Sequence, residues 1–161
     1  MQKYLTHSSG ETDALGRTLG RAILEKGPRQ SAIVVTFDGE LGTGKTTFIK
    51  GIYKGLGSRA RVTSPTFIIM RRNAFRAVRT APRGKGGFKN VFHIDAYRLN
   101  SADALAMLGA EEIFADPTNI VLLEWPERVA KIIPRGAVKI SLHHGKKELE
   151  RGILITGTLF Q

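Results

Sequence analysis

The sequence predicts a single α/β domain, with a mixed sheet of parallel core strands and antiparallel additions at its margins. Two short runs carry the parallel core. AIVVTF (32–37) and IVLLEW (120–125) are apolar almost throughout, as strands covered on both faces are. The antiparallel part comes from AVKISLHH and RGILITGTLF, which follow one another across the polar GKKELE. At 161 residues the chain has the length of one domain, 1–161, and can bury one sizeable core.

The elements follow in order. Residues 9–26 read as an amphipathic helix, because Leu15, Leu19, Ala22 and Ile23 recur at helical spacing. Ser9 is placed to cap it and Gly27-Pro28 to end it. The first apolar strand comes next, then a glycine-rich loop, then a helix from about Thr46 to Leu56 that stops at Gly57. VTSPTFIIM (62–70) is a loop running into a strand, and NVFHIDAYRL (90–99) is a second strand. Between them, residues 71–90 contain Pro82, Gly84, Gly86 and Gly87 and read as a hairpin insertion with a long tip. Ser101 caps a helix through Leu108, and DPTN is a turn. The second apolar strand ends on an acid, and 126–133 forms a short helix. There is no internal repeat.

Composition narrows the class. The chain has no cysteine, which excludes a disulfide framework and cysteine-ligated zinc. No apolar run approaches a membrane span, and the first residues lack a signal-peptide layout, so the expected location is the cytoplasm. The net charge of +11 suggests an anionic partner, nucleotide or nucleic acid. Arg71, Arg72, Arg76, Arg79, Arg83, Lys85 and Lys89 crowd into 71–90, which has no acid. A solvated insertion explains that segment, and so does a contact with nucleic-acid phosphates or an acidic partner face. Phe75 and Phe88 are too few to indicate base stacking.

The loop in FDGELGTGKTTFIKGI carries the chemistry. Gly39, Gly44, Lys45 and Thr46 satisfy G-x-x-x-x-G-K-[ST], so the domain reads as P-loop NTPase-like. Glycines let the backbone curl so that successive N–H groups face a phosphate, and the following helix turns its positive end toward the same anion. Lys45 reaches the β- and γ-phosphates, and the Thr46 hydroxyl takes one Mg²⁺ position. The flanking strand and helix supply the required context. The plain alternative is a tight strand–helix turn with an incidental lysine.

Such a site needs an acid at the end of a neighbouring strand. Glu124 ends IVLLE, the pattern of a central parallel strand, and is assigned to the metal, directly or through water. Asp95 ends VFHID, a less uniformly apolar run nearer an edge, and is assigned to a supporting role or to the attacking water. Either acid could instead cap a helix. His93 shares a strand face with Asp95 and reads as a hydrogen-bonded strand histidine. His143 and His144 point to opposite faces of a strand and cannot readily share a metal.

Three functions remain open on these residues: a P-loop ATPase, a small-molecule kinase whose lid is the basic hairpin, and a basic RNA-binding module that keeps a nucleotide site for stability. The order GELGTGKTTF, TSPTF, HIDAYRL, LGAEEIF and LLEWPERV resembles the TsaE family, over roughly residues 9–135 and more weakly beyond. The resemblance implies a single domain that binds ATP with Mg²⁺ and hydrolyses it slowly alone. It implies TsaD and TsaB as partners in threonylcarbamoyladenosine formation on tRNA, with contact to tRNA indirect unless it runs through 71–90. It matches Gly39, Glu40, Leu41, Gly42, Thr43, Gly44, Lys45, Thr46 and Thr47 to the phosphate loop, and Thr46 and Glu124 to the metal. Asp95 matches the acid of H-x-D-x-Y-R, with Lys45 and Asp95 as the catalytic pair. Residues 64–67 match a nucleotide-sensitive loop, and Thr12 matches a threonine near the base pocket. The hairpin tip departs from the family by its length and basicity.

Overall fold

The computed structural model describes residues 1–58, 60, 62, 63, 65, 68–74 and 87–157. The elements are β1 (Gln2–Thr6), α1 (Ser9–Lys26), β2 (Ile33–Asp38), α2 (Lys45–Gly55), β3 (Met70–Ala74) and β4 (Asn90–Asp95). They continue with α3 (Ala102–Ala106), α4 (Ala110–Ala115), β5 (Asn119–Glu124), a 3₁₀ helix (Pro126–Ile132), β6 (Val138–His144) and β7 (Arg151–Thr156). The seven strands form one sheet in the order β1-β7-β6-β2-β5-β4-β3. β2 runs parallel to β5 and β6, and β4 runs parallel to β5. β3, β7 and β1 are the antiparallel additions. The predicted α/β class with a mixed sheet is therefore the observed one.

Strand periodicity decides what meets what. Val35, Phe37, Ile120, Leu122, Ile140 and Leu142 point toward α1 and α2, packing with Leu19, Ile23, Phe48, Ile49 and Ile52. The intervening residues, Val34, Phe92, Ile94, Val121 and Leu123, pack with Leu105, Phe114 and Val129 on the other face. His93, Asp95 and Glu124 fall an even number of residues from Val91 and Leu122, so they share the α1–α2 face.

α1 and α2 touch through backbone. A Cβ at Gly16 would lie 2.3 Å from the Phe48 carbonyl oxygen, and one at Gly51 2.2 Å from that of Asp13. Asp13 on α1 also bridges to Lys54 on α2 and to Arg17. Partial burial opposes its charge, but hydrogen bonds from Lys54 and Arg17 outweigh that and hold its carboxyl below the usual range. A lowered folded-state pKa stabilises above the unfolded value and ceases to do so as pH falls through the folded one. Asp13→Asn is therefore expected to lose about 0.5–1 kcal/mol near neutral pH. In urea titrations the difference should vanish at acid pH. A difference that persists there would contradict the bridge.

Several boundaries differ from the sequence reading. The cap of α1 is Ser8, not Ser9: the Ser8 Oγ accepts from the Glu11 N–H at 3.1 Å, while the Glu11 carboxylate takes the His7 N–H. β1 is an unanticipated strand. The predicted helix through Leu108 ends as α3 at Ala106, and left-handed Gly109 starts a separate α4. The strand expected within 62–70 is β3, so Arg71 and Arg72 are strand residues, not tip residues. β5 stops at Glu124, and the segment after it is 3₁₀. The hairpin arms pair as expected, from Met70↔Ile94 to Ala74↔Asn90. Residues 75–86 of its tip, with Arg76, Arg79, Arg83 and Lys85, lie outside the described residues, as do Ser64, Thr66 and Phe67. Among the described residues no helix is long and apolar enough to cross a membrane.

Candidate functional site

β2 ends at the sheet's carboxyl edge and delivers the chain into residues 39–44. Gly39 has φ +132°, and a Cβ there would come within 2.3 Å of the Leu142 carbonyl oxygen, so the turn requires glycine. Gly44, at φ +97°, is the N-cap of α2 and places no side chain on the helix end. The first turn of α2 contains no acid either. Its N–H groups are thus free of side-chain caps and carry the helix's positive end. They face a cavity of about 520 Å³, lined on one side by Leu41, Gly42 and residues 44–47, and on the other by Asp95, Tyr97, Glu124 and Trp125.

Lys45 occupies the middle of this arrangement. Its Nζ donates to the carbonyls of Gly39 at 2.6 Å and Glu40 at 2.9 Å, and lies 4.2 Å from the centre of the Trp125 ring. Burial pushes its pKa down, opposed by the charges of Glu124 and Asp95. The lysine is folded onto its own loop. Thr43, which is buried, braces the same turn by donating its hydroxyl to the Glu40 carbonyl at 2.8 Å.

Asp95 and Glu124 stand directly opposite one another at the ends of β4 and β5, both buried. An Asp95 oxygen accepts the Tyr97 N–H at 3.0 Å. Glu124 Oε1 lies 2.8 Å from His93 Nε2. His93 is thus a hydrogen-bonded strand histidine, as expected, but its partner is the acid assigned to the metal. Among the described residues no group of three or more histidines or acids is placed to hold a metal.

The fold brings Leu41, Gly42, Gly44, Lys45, Thr46, Thr47, Asp95 and Glu124 together at one cavity, while Gly39 and Glu40 contribute carbonyls to Lys45. Thr12 does not line that cavity. Its hydroxyl meets Thr6 Oγ1 at 2.8 Å and the Ser8 carbonyl at 3.2 Å, and its methyl lies 3.7 Å from where a Cβ on Gly44 would stand.

Trp125 and Tyr97 also line the cavity, beside the strand-end acids. Trp125 has φ +59°, a left-handed conformation uncommon for a bulky residue. Its ring centre lies 5.0 Å from that of Tyr97, and the Arg128 guanidinium lies 5.9 Å from the Tyr97 ring centre. The one signal in the sequence was a lone tryptophan between a strand-end acid and a proline. Because Lys45 lies over this ring, moving the lysine onto a phosphate changes the ring's surroundings. Adding Mg–ADP is therefore expected to change tryptophan emission. Constant emission while calorimetry reports binding would contradict the placement.

The family model described as threonylcarbamoyl adenosine biosynthesis protein TsaE matches residues 6–153. The tRNA threonylcarbamoyladenosine biosynthesis protein TsaE of Treponema pallidum is 36% identical over 140 residues, covering 87% of this chain and 90% of that protein. Its Bacillus subtilis counterpart is 31% identical over 154 residues, covering 96% and 84%. The crystal structure of Bacillus subtilis YdiB superimposes with a TM-score of 0.70 at 28% identity, covering 97% of this chain and 84% of that one. With a family match over residues 6–153 and a relative 36% identical across most of both chains, the chain belongs to the TsaE family.

Proposed function

We propose that this protein is the ATP-binding and slowly hydrolysing subunit of the tRNA threonylcarbamoyladenosine machinery, acting in the cytoplasm on a TsaB–TsaD complex. One observation carries the ATPase part: an uncapped helix N-terminus, a lysine, a hydroxyl and two buried acids converge on one cavity. The first turn of α2 and the curled loop bind the phosphates. Lys45 leaves the Gly39 and Glu40 carbonyls to meet the β- and γ-phosphates. Asp95, held by the Tyr97 N–H, orients water toward the γ-phosphorus.

The Thr46 hydroxyl and the Glu124 carboxylate suit Mg²⁺, which takes hard oxygen donors and few protein ligands because it keeps much of its water. Bound there, Mg²⁺ would offset the charge of the phosphates. Slow turnover by the chain alone fits a resting Lys45 that must first give up two carbonyls and a ring face.

The partner assignment rests on family membership, and contact with tRNA is proposed to be indirect. Co-purification with TsaB and TsaD, with and without ATP, tests it: retention that depends on nucleotide is expected, and no retention in either condition would contradict it. γ-Labelled ATP should yield free phosphate. Label on a small metabolite would favour a kinase instead.

A further inference from the structure

We infer that His93 is the positioning residue for Glu124, fixing one carboxylate oxygen so that the other is presented to Mg²⁺. The inference rests on the magnesium–nucleotide reading above. Asp95 lies directly opposite Glu124 in the β4–β5 register, and His93 lies one same-face step back along β4. The imidazole therefore reaches Glu124 diagonally across the pair. Nε2 and Oε1 are 2.8 Å apart, with side chains only 1% and 4% exposed. Water does not compete for this bond. A metal-binding carboxylate accepts hydrogen bonds, so in this role Nε2 is the donor.

The two acids at the cavity are held differently. Asp95 is oriented by a backbone N–H two residues on. Glu124 has a longer side chain with more rotational freedom, and its orienting group is a ring fixed on the neighbouring strand. Lys45 spends its hydrogen bonds on the Gly39 and Glu40 carbonyls and reaches Glu124 only as a charge. A leucine at 93 would fill the volume yet leave Oε1 buried without a donor, which a role in packing alone would not explain. Groups that orient metal-binding carboxylates contribute about 10- to 100-fold to metal affinity.

The test is binding of a fluorescent ADP analogue to the full chain, in EDTA and across a range of Mg²⁺ concentrations. In His93→Asn the amide stops short of Glu124. The half-saturating Mg²⁺ concentration is expected to rise about 10- to 100-fold, while affinity in EDTA stays at the wild-type value. His93→Gln, whose amide nitrogen falls near the Nε2 position, should return the Mg²⁺ requirement toward wild type. An unchanged requirement in His93→Asn overturns the inference, and so does an equal loss with and without Mg²⁺. Should the Asn variant fail to fold, a folded His93→Gln protein with a raised requirement overturns it alone. A wild-type protein whose ADP affinity ignores Mg²⁺ would overturn the metal role of Glu124 and the role of His93 with it, whereas a protein that binds no ADP at all would overturn the proposed function.

Discussion

Lys45→Ala is expected to lower ATP turnover by at least on the order of a hundredfold while leaving the fold intact. Among the described residues, only Lys45 at this cavity brings a cation both to the loop carbonyls and to the two strand-end acids. Charge builds on the γ-phosphoryl oxygens during transfer, so removing that cation raises the barrier more than it weakens ground-state binding. The loss should therefore fall mainly on kcat. The fold tolerates the change because the resting lysine is itself desolvated, which is what lowers its pKa. The carbonyls it leaves, at Gly39 and Glu40, border an open cavity that water can enter. Circular dichroism and phosphate release on the same sample check both halves. Turnover at the wild-type rate would remove Lys45 from the chemistry.

Gly51→Ala should be among the most damaging single-methyl changes in the framework. Alanine in place of a mid-helix glycine ordinarily stabilises by about 0.5–1 kcal/mol. Here the new methyl would lie 2.2 Å from the Asp13 carbonyl oxygen and 3.0 Å from the Arg17 nitrogen. Both are backbone atoms of α1, so no side chain can swing aside. The helices must separate, at a cost of about 1–3 kcal/mol or more once the overpacking exceeds the helical gain. Gly20 and Gly55 sit equally close to the opposing helix, so a shift at one contact disturbs the next. α2 carries the glycine-rich loop at its head, so under the proposed function nucleotide affinity should fall along with stability. Gly136→Ala is the control, because a Cβ there meets nothing within 4 Å. Urea denaturation of the two variants decides the matter. A Gly51→Ala protein as stable as wild type would mean the helices have room that the backbone distances deny.

What the sequence made legible follows from how local each signal is. β2, the loop and α2 form one continuous stretch in which apolar run, glycine spacing and helical pattern agree, so both the fold class and the strand–loop–helix unit at the cavity could be read there. Glu124 was legible because an acid closing a fully buried strand breaks an otherwise apolar run. β1 was not, because only Thr6 of its five residues is buried, leaving no alternation to read. α4 is six residues long, too short to show a helical period. The α1–α2 contact depends on side chains that are absent, and glycines inside a helix pattern look like weak points until the facing backbone is seen. The His93–Glu124 bond joins residues 31 apart in the chain, and only the β4–β5 register brings them together. Thr12 was assigned through family resemblance alone, and the fold turns its hydroxyl to Thr6 and Ser8.

Titration calorimetry of Mg–ATP and Mg–ADP into the folded wild-type chain tests the central claim most directly. Single-site uptake, weakened in Lys45→Ala, is the predicted result. Folded protein that takes up no nucleoside di- or triphosphate would contradict it.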